Sequence, residues 1–399
     1  MTSQPPSDPP VISLKRLLTL AIGTRLITDT AVRLFYPFLP VICRGLGISL
    51  VAGGSLMTVR TAVGLMAPWG GLAINRFGVK RIVLFGLATQ AVGLWWFSMA
   101  EGWLAAVGPM MLLGLPMASL VPALQVFVSE RVPYQNRGRI IGAVEFSWAA
   151  VNLFVLPLMG FLITLQGWAV PFYYISGITA VGILIVWRWF PDHHRTASVQ
   201  RIGMLPYLRQ LLQNRSALAV VLSGGFLFVG TESFFVTYAA WLEQMADLSP
   251  SDIGLVVGIM GLTEWGGSGL ASVFIDRMGK RRGVLAGFVL SSIMLCILPF
   301  LDVSLWMAIA GLAIYALFFE FTIVSSIPLL SEQMPQARSI TLAMGILAIS
   351  LSRLIMAPTA AWLMENISFT ATCLVGALGT GCGALLLALW AKEGKTGGT

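Results

Sequence analysis

Twelve apolar stretches, each long enough to cross a bilayer, constrain this 399-residue chain more than any other feature. They lie near 15–42, 51–74, 82–100, 103–128, 138–165, 168–189, 217–242, 252–275, 283–301, 304–328, 338–364 and 369–391, and are numbered here as segments 1 to 12. A spanning helix needs about 20 largely apolar residues, and in hydrocarbon only helices or closed barrels satisfy their own backbone polar groups. The runs lack the polar/apolar alternation of a membrane barrel, so the expected fold class is an all-α membrane protein. With 57% hydrophobic and 11% charged residues and a mean hydropathy of +0.85, the chain is too apolar for a water-soluble fold.

A polar, Pro-rich tail, residues 1–14, precedes segment 1. That segment follows Lys15-Arg16, as a signal peptide would. Its apolar run is long, contains Arg25, Asp29 and Arg33, and lacks a small-residue cleavage site, so it is kept as a helix.

Lys and Arg are unevenly shared between the two sets of loops. One set holds Lys15, Arg16, Arg76, Lys80, Arg81, Arg131, Arg137, Arg139, the arginines from 188 to 215, Arg277 to Arg282, Arg338, Lys392 and Lys395; the other holds only Arg44 and is rich in Asp and Glu. That bias predicts cytoplasmic termini and a cytoplasmic central loop in a multi-pass protein of a bacterial inner membrane. The net charge of +8 then follows from topology and contact with anionic lipid, and no nucleic-acid partner is expected. Cys43, Cys296, Cys373 and Cys382 have no metal or redox spacing and read as small core residues. His193-His194 stand alone as a solvated loop feature, and there is no phosphate-loop pattern. Neither metal nor cofactor is expected. With no histidine and no nucleophile–base motif in the apolar segments, no catalytic residue is assigned.

The chain also repeats itself. Asn75-Arg76-Phe77-Gly78-Val79-Lys80-Arg81 recurs as Asp276-Arg277-Met278-Gly279-Lys280-Arg281-Arg282, 201 positions later (75 against 276). Ser129-Glu130 with Arg137 matches Ser331-Glu332 with Arg338, Pro157 maps to Pro358, Gly53 to Gly254, and Asn152 to Arg353. Two halves of six segments follow: residues 15–189 and 217–391, joined by a basic linker at 190–216, with a short tail at 392–399.

With this doubled turn, the chain resembles the major facilitator superfamily of secondary transporters over almost its whole length. The family's turn between segments 2 and 3 stands here as Gly71-Leu72-Ala73-Ile74-Asn75-Arg76-Phe77-Gly78-Val79-Lys80-Arg81, with Asn75 in the place of the usual Asp; the second copy keeps Asp276. The resemblance implies twelve helices in two pseudo-symmetric six-helix bundles around a central cavity, acting by alternating access and usually as a monomer. It also implies a cytoplasmic gate built from Gly71, Asn75, Arg76, Gly78, Lys80, Arg81, Glu130 and Arg137, and from Asp276, Arg277, Gly279, Lys280, Arg281, Glu332 and Arg338. Small residues allow close packing and a tight reversal. A carboxylate near an opposing helix N-terminus stabilises contact by about 0.3–1 kcal/mol. The alternative is that these residues only hold topology.

Ionisable residues inside a bilayer mark transport paths or static ion pairs, since each costs about 2.5–3.5 kcal/mol at a helix centre. Here they are Arg25, Asp29 and Arg33 in segment 1, Arg60 in segment 2, Glu145 in segment 5, Glu232 in segment 7, Glu264 in segment 8, Glu320 in segment 10 and Arg353 in segment 11. Segments 3, 6, 9 and 12 have none near their centres, and these are the segments the family places outermost. Arg25, Asp29 and Arg33 share one helical face, so Asp29 can pair with either arginine. Tyr36 lies in the aromatic, Pro-rich end of segment 1, and Glu232 lies among Phe235, Tyr238 and other aromatics. Together with Asn152, these residues form the candidate substrate-binding or proton-coupling set.

The partners expected are a small-molecule substrate, a proton or counter-ion, and membrane lipid. The first functional reading is a proton-coupled exporter of amphipathic compounds. The second is an importer or exchanger of an organic anion held by Arg25, Arg33, Arg60 and Arg353. The third is a non-transporting sensor or membrane enzyme. Of the pattern seen in segment 5 of drug/proton antiporters, Leu156-Pro157-Leu158-Met159-Gly160 keeps the Pro and the following Gly, and segment 4 has no basic residue.

Overall fold

The computed structural model describes residues 14–132, 144, 147–191, 204–334 and 338–393, and the chain is helical nearly throughout them. Among the described residues, nine helices are long and apolar enough to cross a bilayer, and a bent pair, Lys15–Arg33 with Phe35–Leu46, makes ten. Segment 2 is divided into Leu50–Gly64 and Ala67–Phe77, each too short to span alone, with Pro68 opening the second piece. Segment 3, Val79–Phe97, is diluted by Lys80, Arg81 and Gln90. All twelve expected segments are therefore helical where described, ten of them with the composition of a full span. The described part of the expected linker includes a helix, Met204–Gln213.

Local sequence explains the boundaries. Ser49 caps segment 2 by accepting from the Ala52 amide, and Ser249 caps segment 8, Pro250–Met278, in a capping box with Asp252. Segments 2 and 3 are separated by Gly78 alone, and segments 8 and 9 by Gly279 alone; both have φ of 83°, with ψ of 156° and 142°. The doubled turn is thus one backbone conformation built twice, in a region that is nearly glycine-only. Gly78→Ala and Gly279→Ala are each expected to destabilise the protein by about 1–3 kcal/mol. Thermal unfolding checks this, and unchanged midpoints for both variants would contradict it.

Segments 1–6 and 7–12 form two lobes. Among the described residues, hydrogen bonds between them occur at mid-membrane or toward the acidic end of the bundle, the end that contains Arg44, Thr164, Glu243 and Glu365. There Arg44 makes a two-pronged ion pair with Glu243 at 2.6 and 3.2 Å, and a Glu365 oxygen accepts from the Val51 amide at the start of segment 2. Thr164 Oγ1 accepts from the Ser251 amide at the start of segment 8. Two seams lined by small residues run inward from these points: Gly54 lies against Ala357 and Pro358, and Gly160, Gly254 and Gly261 bring segment 5 against segment 8.

One large core joins both lobes, combining Phe35, Leu39, Val151 and Met159 with Leu227, Val257 and Ala357. Toward the basic end the cores are separate: Leu17, Ile74, Phe127 and Phe190 in the first lobe, and Leu211, Val221 and Met334 in the second. The lobes are fastened at the acidic end and have independent interiors at the basic end. Trp95, Ile178, Leu184, Ile293 and Leu378 are exposed on segments 3, 6, 9 and 12, as expected of helices whose outer face meets lipid.

Candidate functional site

Segment 1 bends by 49° after Arg33, just before the Pro37 region, and this brings Tyr36 to the junction of the lobes. Segment 5 contains a π-helical turn, Val151–Val155, before Pro157. Such turns often mark functional positions, and this one contains Asn152. Both interruptions therefore place polar side chains at the centre.

Two clusters cross between the lobes there. In the first, Arg33 Nη1 donates to Glu264 Oε2 at 3.1 Å, and Asn152 Nδ2 is 3.1 Å from both oxygens of the same carboxylate. Glu264 is fully buried, and the Arg33 guanidinium lies 3.8 Å from the centre of the Trp148 ring. In the second, Arg353 Nε donates to Glu232 Oε2 at 3.1 Å, and Arg353 Nη2 donates to the Tyr36 hydroxyl at 2.6 Å. That hydroxyl in turn donates to Glu232 Oε1 at 3.1 Å. Each cluster thus combines an arginine, a carboxylate and a neutral polar group drawn from both lobes.

Between them lies a narrow cleft, with about 590 Å³ of space between the atoms when the solvent at its mouth is included. Its apolar wall includes Trp148, Phe228, Phe235, Tyr238 and Phe319, and Phe235 packs edge-on against Tyr36 and Phe319. Arg33, Arg353 and Asn152 also face it, whereas Glu232 and Glu264 lie behind their partners.

The remaining candidates are arranged nearby. Asp29 pairs with Arg25 at 3.1 Å and accepts from Ser147 Oγ at 2.9 Å, so of the two arginines on its helical face it takes Arg25, while Arg33 turns to the other lobe. Arg60 is buried, donates to the Val32 carbonyl and lies 5.0 Å from the Phe35 ring centre. Glu320 accepts from Ser268 Oγ at 2.8 Å. Ser268 is one helical turn beyond Glu264, and among the described residues no cation pairs with Glu320. Glu145 lies outside the described residues.

At the basic turns, Lys280 pairs with Glu332, Arg281 Nη2 donates to the Ala388 carbonyl at 2.7 Å, and Glu393 accepts from the Lys280 amide at 2.7 Å. All these contacts stay within the second lobe. Arg76, Arg81 and Arg277 are exposed; Arg137 lies outside the described residues, as do the side chains at 71, 75, 130, 276 and 338. Trp148, Phe319, Ser147 and Ser268 were not singled out from sequence. The signals available were the one-turn spacings of Trp148 from Asn152 and of Ser268 from Glu264, and the adjacency of Phe319 to Glu320.

The arrangement sets aromatic rings beside two guanidinium groups, and a proton arriving at either carboxylate would compete with its arginine. Comparisons with known proteins agree with the fold. The chain is 25% identical over 274 residues to the uncharacterized MFS-type transporter YwfA of Bacillus subtilis, covering 67% of this chain and 65% of that protein. It is 23% identical over 241 residues to the quinolone resistance protein NorA of Staphylococcus aureus, covering 57% and 60%. The crystal structure of a D-xylose–proton symporter superposes with a TM-score of 0.80 at 16% identity, over 96% of this chain and 99% of that one. Sequence profiles of the Major Facilitator Superfamily match residues 21–245 and 221–398. The chain is a multi-pass membrane transporter belonging to the Major Facilitator Superfamily.

Proposed function

We propose that this transporter exports amphipathic small molecules in exchange for protons, by alternating access. The observation that carries this reading is the pair of Arg–Glu clusters at the wall of an aromatic cleft: Arg33–Glu264 pairs across the lobes, and Arg353–Glu232 pairs within the second lobe and is joined to the first by Tyr36. A proton on Glu264 or Glu232 removes the charge that holds Arg33 or Arg353, so protonation and the closed arrangement of the clusters exclude one another. A substrate wedged between the same arginines also disturbs these pairs. Proton and substrate thus compete for one set of contacts, as antiport requires. The resistance-protein name of the relative NorA supports export of amphipathic compounds.

In this reading the basic end faces the cytoplasm of a bacterial cell, both termini are inside, and the structure is the inward-facing state. Glu320 and Ser268 serve as the proton's route toward Glu264, because a carboxylate without a cationic partner can load and unload without breaking an ion pair. The doubled turns form the cytoplasmic gate, with Asp276 the stronger side and Asn75 the weaker. Asn75→Asp then shifts the protein toward the outward-facing state.

A second reading, transport of an organic anion, is favoured by one feature: the cleft presents Arg33 and Arg353 while the carboxylates lie behind them. Proteoliposomes with an imposed proton gradient separate the two. Under the first reading, amphipathic dyes of several charges accumulate and a proton ionophore collapses the accumulation. Under the second, only anions move, and Arg353→Ala abolishes their transport. A broad panel that does not move at all would overturn both.

Tyr36→Phe removes hydrogen bonds to both members of the Glu232–Arg353 pair, each worth about 1.5–3 kcal/mol when one partner is charged. Transport is expected to fall at least severalfold while the protein still folds. An unchanged rate would remove Tyr36 from the mechanism.

A further inference from the structure

Segments 2 and 8 both begin at the acidic end, and their first turns are capped in the same way. Ser49 accepts from the Ala52 amide and Ser249 from the Asp252 amide. In each helix the amide just before is met by a residue of the opposite lobe: Val51 N donates to Glu365 Oε2 at 3.1 Å, and Ser251 N to Thr164 Oγ1 at 3.0 Å. Thr164 and Glu365 stand 201 positions apart (164 against 365), the interval of the repeat. The geometry is shared and the charge is not.

The difference follows from what each helix supplies for itself. The positive end of segment 8 has an acid of its own, since Asp252 accepts from the Ser249 amide at 3.1 Å and closes the capping box. Segment 2 has Ala52 at that position and no acid in its first turn. Its acid comes from the other lobe. Glu365 lies in the last turn of segment 11, Arg338–Asn366, at the negative end of its own helix, where a carboxylate is disfavoured. Apart, Glu365 and the start of segment 2 each lack an opposite charge; together, they compensate one another. Thr164 meets a helix end that Asp252 has already compensated, so its contact depends little on charge. Further inward, Thr58 Oγ1 donates to the Leu354 carbonyl at 2.8 Å and continues the fastening of segment 2 to segment 11.

We propose that Glu365 is the charged latch of the outer gate: it favours the inward-facing state by supplying segment 2 with an anion only while the lobes meet, and Thr164, its neutral counterpart in the repeat, adds little to that bias. The proposal rests on the alternating-access reading above. It also gives that reading a crosswise order. In the proposed cytoplasmic gate the acid belongs to the other seam, Asp276 near the end of segment 8, whereas segment 2 ends with Asn75. Each seam then has one acidic lock, outside for segments 2 and 11 and inside for segments 5 and 8, and the two locks favour opposite states.

Distances between labels at Arg76 and Arg277, in full-length protein lacking the exposed Cys296 and Cys382, test the proposal. Glu365→Gln keeps an acceptor for the Val51 amide and removes only the charge. It should raise the ratio of outward-facing to inward-facing protein by about twofold to fivefold, the weight of one charge at a helix end. Ala52→Asp gives segment 2 the acid that segment 8 already has and completes a capping box, so it acts on the gate without weakening the helix. It should shift the ratio in the same direction, and the double substitution should shift it no further than Ala52→Asp alone. Thr164→Val should leave the ratio nearly unchanged. An unshifted ratio in Glu365→Gln, or an equal shift in Thr164→Val, would overturn the latch while leaving alternating access in place. One fixed label distance in wild type and every variant, with no solute movement in proteoliposomes, would remove alternating access and the proposal with it.

Discussion

Glu264→Gln is expected to abolish proton-driven accumulation while leaving downhill exchange of substrate in place. Glutamine keeps the shape of the side chain and can still accept hydrogen bonds from Asn152 and Arg33, both 3.1 Å from the carboxylate. It cannot take and release a proton. Accumulation against a gradient should therefore drop by more than about tenfold, the loss expected of a general proton-transfer group, and counterflow should persist. The substitution also leaves Arg33 as a buried cation without its counter-charge, a change that costs about 3–5 kcal/mol in buried pairs. The ring of Trp148 lies 3.8 Å from that guanidinium and offsets part of this cost, so the variant should fold with reduced thermal stability. Accumulation equal to wild type would show that Glu264 carries no proton.

The second large effect is conformational. A side chain on Gly54 would place its Cβ 2.5 Å from the Ala357 carbonyl oxygen and 3.0 Å from Pro358 Cα; one on Gly160 would lie 2.3 Å from the Pro250 carbonyl oxygen. These obstacles are backbone atoms, so no flexible side chain can yield. Gly54→Leu and Gly160→Leu must part the lobes at the acidic end. Overpacking of this kind costs about 1–3 kcal/mol, which displaces a two-state equilibrium by roughly 5- to 150-fold. Labels at the exposed positions Arg76 and Arg277, in a background lacking the exposed Cys296 and Cys382, should approach one another in both variants, and turnover should fall sharply. An unchanged label distance would mean that the glycine seams do not set the state of the transporter.

The sequence made the architecture legible because it repeats and because lipid demands long apolar helices. The two turns at Gly78 and Gly279 have the same φ, and Asn152 and Arg353, equivalent in the repeat, both reach the centre. The pairings were less legible. Spacing within one helix offered Asp29 two arginines and could not say that Arg33 would turn to Glu264, 231 positions away. Nor did Arg44, an exception in an acidic set of loops, announce its latch to Glu243. Such partners depend on how two lobes meet, and hydrophobic periodicity carries no information about that. The aromatic wall was half legible: Phe235 and Tyr238 face the cleft, and so do Trp148 and Phe319, which belong to other segments.

Proton movement accompanying substrate movement tests the central claim most directly. A pH-sensitive dye sealed in proteoliposomes should record proton flux whenever substrate crosses, in the direction opposite to the substrate, and Glu264→Gln should abolish the proton signal while exchange continues. Substrate crossing with no proton signal, or an undiminished signal in Glu264→Gln, would contradict the account.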